Sequence, residues 1–239
     1  MIKKAHFIWF QGPPPQQYLP TIHKFKKLNP DFDIYVWNEQ KLLELLNSFP
    51  LFKISIEKAP YMIQKIDIYK YIILYLYGGI YMDLDIDIIR PFDSDFYSMI
   101  SVGSKDAVFS YMNVYSAIPF CVINNGIIIA NVQNSSLFLD IIKNIPWDKM
   151  WKKNKDWAIL ETTGPFFLTK TLKKDNRVLL LDQKYLEGCP LIPWLGPKQG
   201  IYITHLHHSN WMEGWLYLWM FLLKYIVGLI ILALYIYLK

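Results

Sequence analysis

Residues 77–93, YGGIYMDLDIDIIRPFD, decide the fold class and raise the question of function. An apolar run of strand length carries carboxylates at alternate positions: Asp83, Asp85 and Asp87. Side chains alternate between the two faces of a strand, so this spacing predicts one acidic face and one apolar core face. Carboxylates about 7 Å apart repel one another unless a cation or hydrogen-bond donors intervene. The acidic face is therefore either a cation site or a solvated edge.

The segments around this stretch alternate between strand and helix patterns. Strands are predicted at 5–10, 33–37, 124–131 and 177–182, and helices at 16–28, 39–48, 61–79 and 135–144. Such alternation predicts an α/β fold with a mostly parallel sheet. Sites in sheets of this kind lie at the carboxyl ends of the strands, where the acidic residues would lie.

Composition limits the class of protein. The chain has 239 residues, enough for one substantial domain, and is 53% hydrophobic and 17% aromatic. A net charge of +5 with scattered lysines argues against nucleic acid as a partner. Cys121 and Cys189 form neither a disulfide framework nor a thiolate metal motif.

Much of the apolar excess lies at the C-terminus. Residues 216–238 carry one charge, Lys224, and are long enough to span a bilayer. We therefore expect a globular domain at 1–214 and a transmembrane or membrane-associated helix at 215–239. The alternatives are a buried terminal helix or a re-entrant segment over 225–238. No signal-peptide pattern opens the sequence, which favours insertion after synthesis and a cytosolic domain.

Residues 66–93 resemble the DXD sugar-binding region of the glycosyltransferases that include a yeast initiating α-1,6-mannosyltransferase and the large clostridial glucosylating toxins. The matching positions are Asp67, Tyr71, Leu74, Gly78, Gly79, Tyr81, Asp83 and Asp85. Ile66 replaces a small Ser and Lys70 replaces an Arg, which keeps the charge but not the bidentate fork. Without the resemblance, Asp67 and Lys70 could equally form a simple surface ion pair.

The resemblance implies a GT-A (Rossmann-like) fold and a divalent cation at Asp83 and Asp85. Hard oxygen ligands of this kind suit Mn²⁺ or Mg²⁺. Asp67 would lie in the donor site. Asp87 is an additional carboxylate that the resemblance does not assign to the metal.

Two further segments are similar to parts of the same enzymes. AHFIWF (5–10) resembles their opening strand, which makes Trp9 a candidate for stacking on the donor base; a core aromatic is the alternative. In NNGIIIAN (124–131), Asn124 or Asn125 would contact the donor sugar.

Two later motifs resemble inositol phosphoceramide mannosyltransferases. ETTGPFFLTKTL (161–172) and THLHHSNWMEGW (204–215) match their Gly-Pro and His-x-His segments. The likeness implies metal ligation by His205 or His207, donor contacts at Gly164 and Ser209, and a contact from Trp211 to the leaving diphosphate. Three positions depart from the pattern: His208, Asn210 and Met212. A loop with one structural histidine is the alternative.

The resemblance as a whole implies a metal-dependent retaining glycosyltransferase. Its catalytic residues would be Asp83, Asp85, Lys70 and Trp211. The implied reaction moves mannose from GDP-mannose to a membrane lipid headgroup such as inositol phosphoceramide, at the Golgi membrane and with a regulatory subunit as a further partner. A Golgi-lumen site conflicts with the missing signal peptide, so sidedness stays open.

Three other functions stay open. A transferase of the same group could use another nucleotide sugar and a glycan or protein acceptor. An Asp-cluster metal-dependent phosphohydrolase and a non-catalytic membrane protein on the same scaffold are the alternatives of other classes.

Overall fold

A computed structural model describes residues 2–112, 122–148, 154–188 and 199–208, with six isolated positions between 222 and 237. Its strands are β1 Lys4–Ile8, β2 Asp33–Trp37, β3 Gly79–Met82, β4 Ile86–Ile88, β5 Ala107–Met112, β6 Val122–Ile123, β7 Ile127–Ala130, β8 Val178–Leu181 and β9 Ile203–His205. Its α-helices are α1 Leu19–Leu28, α2 Glu39–Ser48, α3 Lys53–Glu57, α4 Met62–Tyr77, α5 Ser94–Ile100, α6 Ser136–Lys143, α7 Lys155–Thr162, α8 Pro165–Leu172 and α9 Gln183–Leu186. The predicted alternation of strands and helices is confirmed.

The central sheet is mixed. Its strands follow the order β2-β1-β3-β7-β5-β6, and β8 pairs with β5. The pairs β1–β2, β1–β3 and β5–β8 are parallel, whereas β7 runs antiparallel to both β3 and β5. The expectation of a mostly parallel sheet is therefore only partly met, because the antiparallel β7 lies between two parallel groups.

The acidic stretch does not form one strand. β3 ends at Met82, the chain turns through 83–85, and β4 pairs antiparallel with β9 in a separate two-stranded sheet. The prediction that three carboxylates share one strand face is wrong. Asp87 lies in β4 and forms an exposed ion pair with Lys24, with 2.6 Å between Nζ and Oδ1.

The apolar half of the same pattern does form core. The alternate residues Ile80, Met82, Leu84, Ile86 and Ile88 all belong to one buried hydrophobic cluster. They keep their side chains on the inside although the chain changes sheets between them. Exposing any of them would cost about 1.5–3 kcal/mol, so their burial stabilises the chain on both sides of the turn.

Helix α4 carries part of the site into the interior. The helix ends at Gly78, and both Gly78 and Gly79 have positive φ values, 61° and 86°. A Cβ at Gly79 would collide with the backbone carbonyl of Lys4 on β1. The Gly-Gly pair therefore allows the chain to leave α4 and enter β3 directly beside β1.

The predicted membrane helix lies almost wholly outside the described residues. In the described part of the chain, no helix combines the length and the hydrophobicity needed to cross a bilayer. The helix at 215–239 and the domain boundary at 214 therefore remain predictions.

Candidate functional site

Two of the predicted carboxylates lie together at the carboxyl end of β3. The backbone amide of Asp83 donates to the Gly126 carbonyl at 2.8 Å, which ties this end of β3 to the start of β7. The Tyr81 hydroxyl donates to Asp83 Oδ1. The Asp85 Oδ2 atom accepts the His208 backbone amide at 2.9 Å. The acidic pair, Asp83 and Asp85, is therefore held from both sides by backbone.

Strand β9 brings a histidine to the acidic pair. His205 pairs with Ile86 in the β4–β9 ladder, and its Nε2 lies 3.3 Å from Asp85 Oδ1. Ligand atoms of Asp83, Asp85 and His205 all lie within 4.8 Å of one another. Two atoms that share an ion at about 2.1 Å lie roughly 3.0–3.4 Å apart, so the His205–Asp85 separation suits a common divalent ion.

A glycine keeps space open beside these ligands. A Cβ at Gly126 would lie 2.7 Å from His205 Cε1 and 2.9 Å from Asp83 Oδ2. Any side chain at this position would push the ring or the carboxylate away. The residues present therefore fit a small divalent cation, in both their ligand atoms and the space between them.

A buried lysine lies on the other side of Asp83. Lys70 is 2% exposed, and its Nζ lies 3.0 Å from Asp67 Oδ1, 3.7 Å from Asp83 Oδ1 and 3.1 Å from the Asn125 carbonyl. Its Nζ also lies 4.7 Å from the centre of the Tyr81 ring. The surface-ion-pair alternative for Asp67 and Lys70 is wrong, since both side chains are buried beside the acidic pair.

The donors around Asp67 come from two distant segments. Its Oδ1 accepts Asn125 Nδ2 at 3.0 Å and its Oδ2 accepts Thr163 Oγ1 at 2.7 Å. Gly164 follows Thr163 and caps α8, where a Cβ would lie 3.0 Å from the Ile159 carbonyl. The predicted donor-site residue Asn125 and Thr163, the neighbour of Gly164, thus fix the Asp67 carboxylate that holds Lys70.

A second carboxylate lies behind His205. Glu187 follows α9 and has 0% exposure. Its Oε2 lies 3.5 Å from His205 Nδ1 and accepts the amide of Asn124, and its Oε1 lies 2.6 Å from His207 Nε2. Sequence reasoning missed Glu187, because the only local signal is an isolated acid between Leu186 and Gly188.

The structure separates the two histidines of the His-x-His motif. His205 faces the acidic pair, whereas His207 contacts Glu187 and stacks on His205 with 4.1 Å between ring centres. Asn124 lies on the Glu187 side as well, and its Oδ1 accepts the Gly126 amide at 2.6 Å. Among the described residues, His205 is the histidine that groups with the acidic pair, whereas His207 groups with Glu187 and His205.

Charge compensation sets the ionisation of this cluster. Burial opposes ionisation of Asp85, but hydrogen bonds and charge from His205 and the His208 amide hold the pKa of this carboxyl below its ordinary value. Burial likewise opposes ionisation of Glu187, and contacts with His205 and His207 lower its pKa from 4.5 to about 2. Burial would lower the pKa of His205, but Asp85 and Glu187 raise it well above 6.5. The resting cluster therefore places a positive charge at His205, where a cation can compete for the same carboxylates.

Lysine 70 is also kept charged. Burial would lower its pKa, yet Asp83 and Asp67 raise it above 10.5. Burial raises the pKa of Asp67, and Lys70 and Thr163 oppose this effect. Asp67 accepts hydrogen bonds from three donors, which stabilise its charged form, so Asp67 and Lys70 form an ion pair at neutral pH.

An aromatic path leads from the acidic pair to Trp9. This residue follows the carboxyl end of β1, and its ring lies 5.3 Å from that of Tyr18. Tyr18 in turn lies 6.1 Å from the His208 ring, next to Asp85. Trp9 is thus at the same end of the sheet as the acidic pair, and its half-buried side chain packs against one of the hydrophobic clusters. Ser209 and Trp211, predicted to contact the donor, lie outside the described residues.

A known protein family matches the part of the chain that contains the acidic pair. Residues 15–106 match the family described as "Glycosyltransferase sugar-binding region containing DXD motif". The match contains β1's partner strand β2, α4 and the acidic pair. The resemblance inferred from the sequence is confirmed for this part of the chain.

Named relatives extend the match toward the C-terminus. Inositol phosphoceramide mannosyltransferase 3 of Schizosaccharomyces pombe is 24% identical over 168 residues, 70% of this chain and 43% of that protein. Inositol phosphoceramide mannosyltransferase 1 of the same species is 34% identical over 92 residues, 37% of this chain and 29% of that protein. The chain therefore spans less than half the length of these two relatives. An uncharacterized glycosyltransferase of Acanthamoeba polyphaga mimivirus is 27% identical over 224 residues, 86% of this chain and 82% of that protein.

A solved structure shares the fold. The apo form of mouse xyloside xylosyltransferase 1 superposes with a TM-score of 0.50 at 12% identity, covering 88% of this chain and 86% of that one. At this identity the likeness concerns the fold alone. It agrees with a mixed α/β glycosyltransferase architecture of the GT-A type.

Proposed function

Because residues 15–106 match the family of glycosyltransferases with a DXD sugar-binding region, we propose that this chain moves mannose from GDP-mannose to a membrane lipid headgroup such as inositol phosphoceramide. We propose further that the transfer depends on Mn²⁺ or Mg²⁺ and retains the anomeric configuration. The names of the fission-yeast relatives support the sugar and the acceptor.

One observation carries the proposal. Asp83, Asp85 and His205 converge at the carboxyl end of β3, with ligand atoms within 4.8 Å of one another. His205 comes from a distant strand, so no local pattern forces it toward the acidic pair. Two carboxylates and an imidazole next to a buried lysine make a site for a cation and the anionic group that it binds.

The protein groups have distinct tasks in this proposal. The acidic pair and His205 would hold the ion, which supplies charge neutralisation to the diphosphate that leaves. Lys70 lies 3.7 Å from Asp83 and keeps its charge, so it can contact the donor sugar or diphosphate. Asp67 fixes Lys70, and Asn125 fixes Asp67. Preorganised groups of this kind lower the barrier because they need not reorient as charge develops.

The remaining predicted residues surround this centre. Trp9 would stack on the base, and Asn125 or Asn124 would contact the sugar. Ser209 would contact the donor, and Trp211 would contact the leaving diphosphate. Residues 216–238 would hold the domain at the bilayer, which raises the effective concentration of a lipid acceptor. A regulatory subunit and a Golgi location belong to the same proposal.

A donor and acceptor screen tests the proposal. The full chain in detergent micelles is incubated with Mn²⁺, inositol phosphoceramide and either GDP-mannose, UDP-glucose, UDP-xylose or UDP-N-acetylglucosamine. We expect transfer from GDP-mannose alone, lost with EDTA and restored with Mn²⁺. Transfer from a UDP-sugar instead would reject the donor, and transfer to a glycan but not to the lipid would reject the acceptor.

Two controls separate the remaining alternatives. A phosphohydrolase would release phosphate from the donor when acceptor is absent, whereas a transferase of this kind should not. The Asp85→Ala variant should lose transfer, while Asp87→Ala, altered at an exposed ion pair in the adjacent strand, should keep it. Protease protection on sealed vesicles would establish on which side of the membrane the domain lies.

A further inference from the structure

Glu187 is a buried carboxylate that the sugar-binding match does not include. It follows helix α9, far along the chain from residues 15–106, and has 0% exposure. A carboxylate in such surroundings is costly unless its charge is paired and hydrogen-bonded. Its partners are the two histidines of the His-x-His motif and the amide of Asn124.

Glu187, His205 and His207 form a second group of potential ligands, but Glu187 already contacts His207 directly. Its Oε1 lies 2.6 Å from His207 Nε2, whereas two ligands of one ion at about 2.1 Å are separated by roughly 3.0 Å or more. The His205–Asp85 separation of 3.3 Å falls in the range for shared ligation. The ion site therefore lies on the Asp85 side of His205, and Glu187 lies on the opposite side of the same ring.

The two ring nitrogens of His205 thus face different groups. Nδ1 lies 3.5 Å from Glu187 Oε2 and 3.3 Å from Asn124 Nδ2, and Nε2 faces Asp85. An imidazole that binds a metal through one nitrogen commonly donates its other N–H to a carboxylate, which fixes both tautomer and ring orientation. The Asn124 amide donates to Glu187 Oε2 and so holds this carboxylate in place.

His207 adds a second restraint. Its backbone has φ of 51°, in the left-handed region that costs a residue with a side chain about 1 kcal/mol. This conformation stacks its ring on His205 at 4.1 Å and directs its Nε2 at Glu187. The stacking on His205 and the contact with Glu187 hold His207 in this conformation, and His207 in turn restrains the His205 ring.

We propose that Glu187 is a positioning residue that orients His205 for divalent-metal binding. It holds Nδ1 of His205 toward its own carboxylate, so that the Nε2 lone pair faces the acidic pair. His207 contacts both Glu187 and the His205 ring and stabilises their arrangement, and it does not bind the ion. This inference rests on the proposed metal-dependent function and adds a residue outside the DXD region to it.

Mn²⁺ affinity tests the inference without an activity assay. Free Mn²⁺ is titrated by electron paramagnetic resonance against the full chain in micelles. Glu187→Gln should weaken Mn²⁺ binding about 10–100-fold, the usual effect of removing a carboxylate behind a metal-ligating histidine. Asp87→Asn makes the same charge change at an exposed position on β4 and should leave the affinity unchanged.

A double-variant comparison distinguishes positioning from general structural damage. In a His205→Ala background, adding Glu187→Gln should weaken Mn²⁺ binding no further, because the ring on which Glu187 acts is gone. An equal loss in both backgrounds would overturn the inference. If Glu187→Gln does not fold, the wild-type chain still gives the answer: ¹⁵N spectra with Mg²⁺ bound should show His205 protonated at Nδ1 alone, and an unprotonated Nδ1 would overturn it.

Failure of the inference and failure of the proposed function give different results. A wild-type chain that binds no Mn²⁺ would reject the metal-dependent function. A wild-type chain that binds Mn²⁺, with the same affinity in Glu187→Gln, would reject the positioning role alone.

Discussion

His6 and His205 are both buried in this fold, and their surroundings shift their pKa values in opposite directions. His6 lies on β1 with 0% exposure, donates through Nε2 to the Gly78 carbonyl at 3.0 Å and accepts Trp37 Nε1 at Nδ1. Burial lowers its pKa from 6.5 to about 4. His205 lies between Asp85 and Glu187, which raise its pKa despite burial.

The contrast separates a structural region from a functional one. Around His6, each ring nitrogen has one neutral partner and aromatic rings fill the remaining space. Around His205, two carboxylates face one ring and a third, Asp83, lies within ligand distance. A fold gains little stability from concentrating buried charge in this way, whereas a cation site requires it.

The largest effect is expected at the acidic pair. Asp85→Ala removes the carboxylate that faces His205, so both ion binding and His205 orientation suffer. We expect transfer to fall at least about 10³-fold, with secondary structure unchanged, as measured by kcat/KM with saturating Mn²⁺. Retention of a tenth of the activity would mean that the pair does not hold the catalytic ion.

The next largest effect concerns Lys70. Lys70→Ala leaves Asp67 and Asp83 near one another without their buried cation, so the free energy of unfolding should fall by about 3 kcal/mol or more. Lys24→Ala breaks the exposed pair with Asp87 and should cost only about 0.2–1 kcal/mol. Urea unfolding of both variants measures the difference. Equal losses of unfolding free energy would contradict the burial of Lys70 between Asp67 and Asp83.

The His6 region predicts a pH dependence of stability. The folded-state pKa of about 4 lies below the unfolded value of 6.5, so the unfolded chain binds the proton more readily. The stabilisation is complete above pH 6.5 and is lost as pH falls toward 4, by up to about 3 kcal/mol. His6→Gln should reduce this dependence in urea unfolding at pH 7 and pH 4.5. A variant with the wild-type pH slope would show that His6 is not the titrating group.

The smallest predicted effect is steric. Gly126→Ala places a Cβ against His205 and Asp83, which should weaken Mn²⁺ binding about 10-fold, or about 1.4 kcal/mol. Gly12→Ala is a matched control: it also replaces a glycine, at φ of 77° and with open space around its Cβ, so it should lower stability without changing Mn²⁺ affinity. Calorimetric Mn²⁺ titration compares the two, and an equal affinity in both would contradict the close fit at Gly126.

The sequence pattern predicted the strands and helices whose ends are set by neighbouring residues in the chain. The strand at 33–37 and the helix at 39–48 match the structure to the residue, because a turn precedes the strand and the Asn38 side chain caps the helix. The end of β3 could not be predicted in this way. Its continuation β4 pairs with β9 near the other end of the chain, and no local pattern records that pairing.

The same reasoning explains which site residues were predictable. Asp83, Asp85 and Lys70 lie in one continuous motif, and their proximity follows from α4, the Gly-Gly turn and β3. The separation of His205 from His207 follows from the left-handed backbone at His207, which an alternating sequence does not reveal. Glu187 depends on the packing of α9 against β9, and only the folded chain brings it to the histidines.

In the proposed function, the acidic pair binds a divalent ion that in turn binds the donor diphosphate. The most direct measurement is the ³¹P relaxation of GDP bound to the full chain, with Mn²⁺ added to the wild type and to Asp85→Ala. We predict strong paramagnetic broadening of both phosphates in the wild type and its loss in the variant. Equal broadening in the two proteins would place the ion elsewhere and contradict the account.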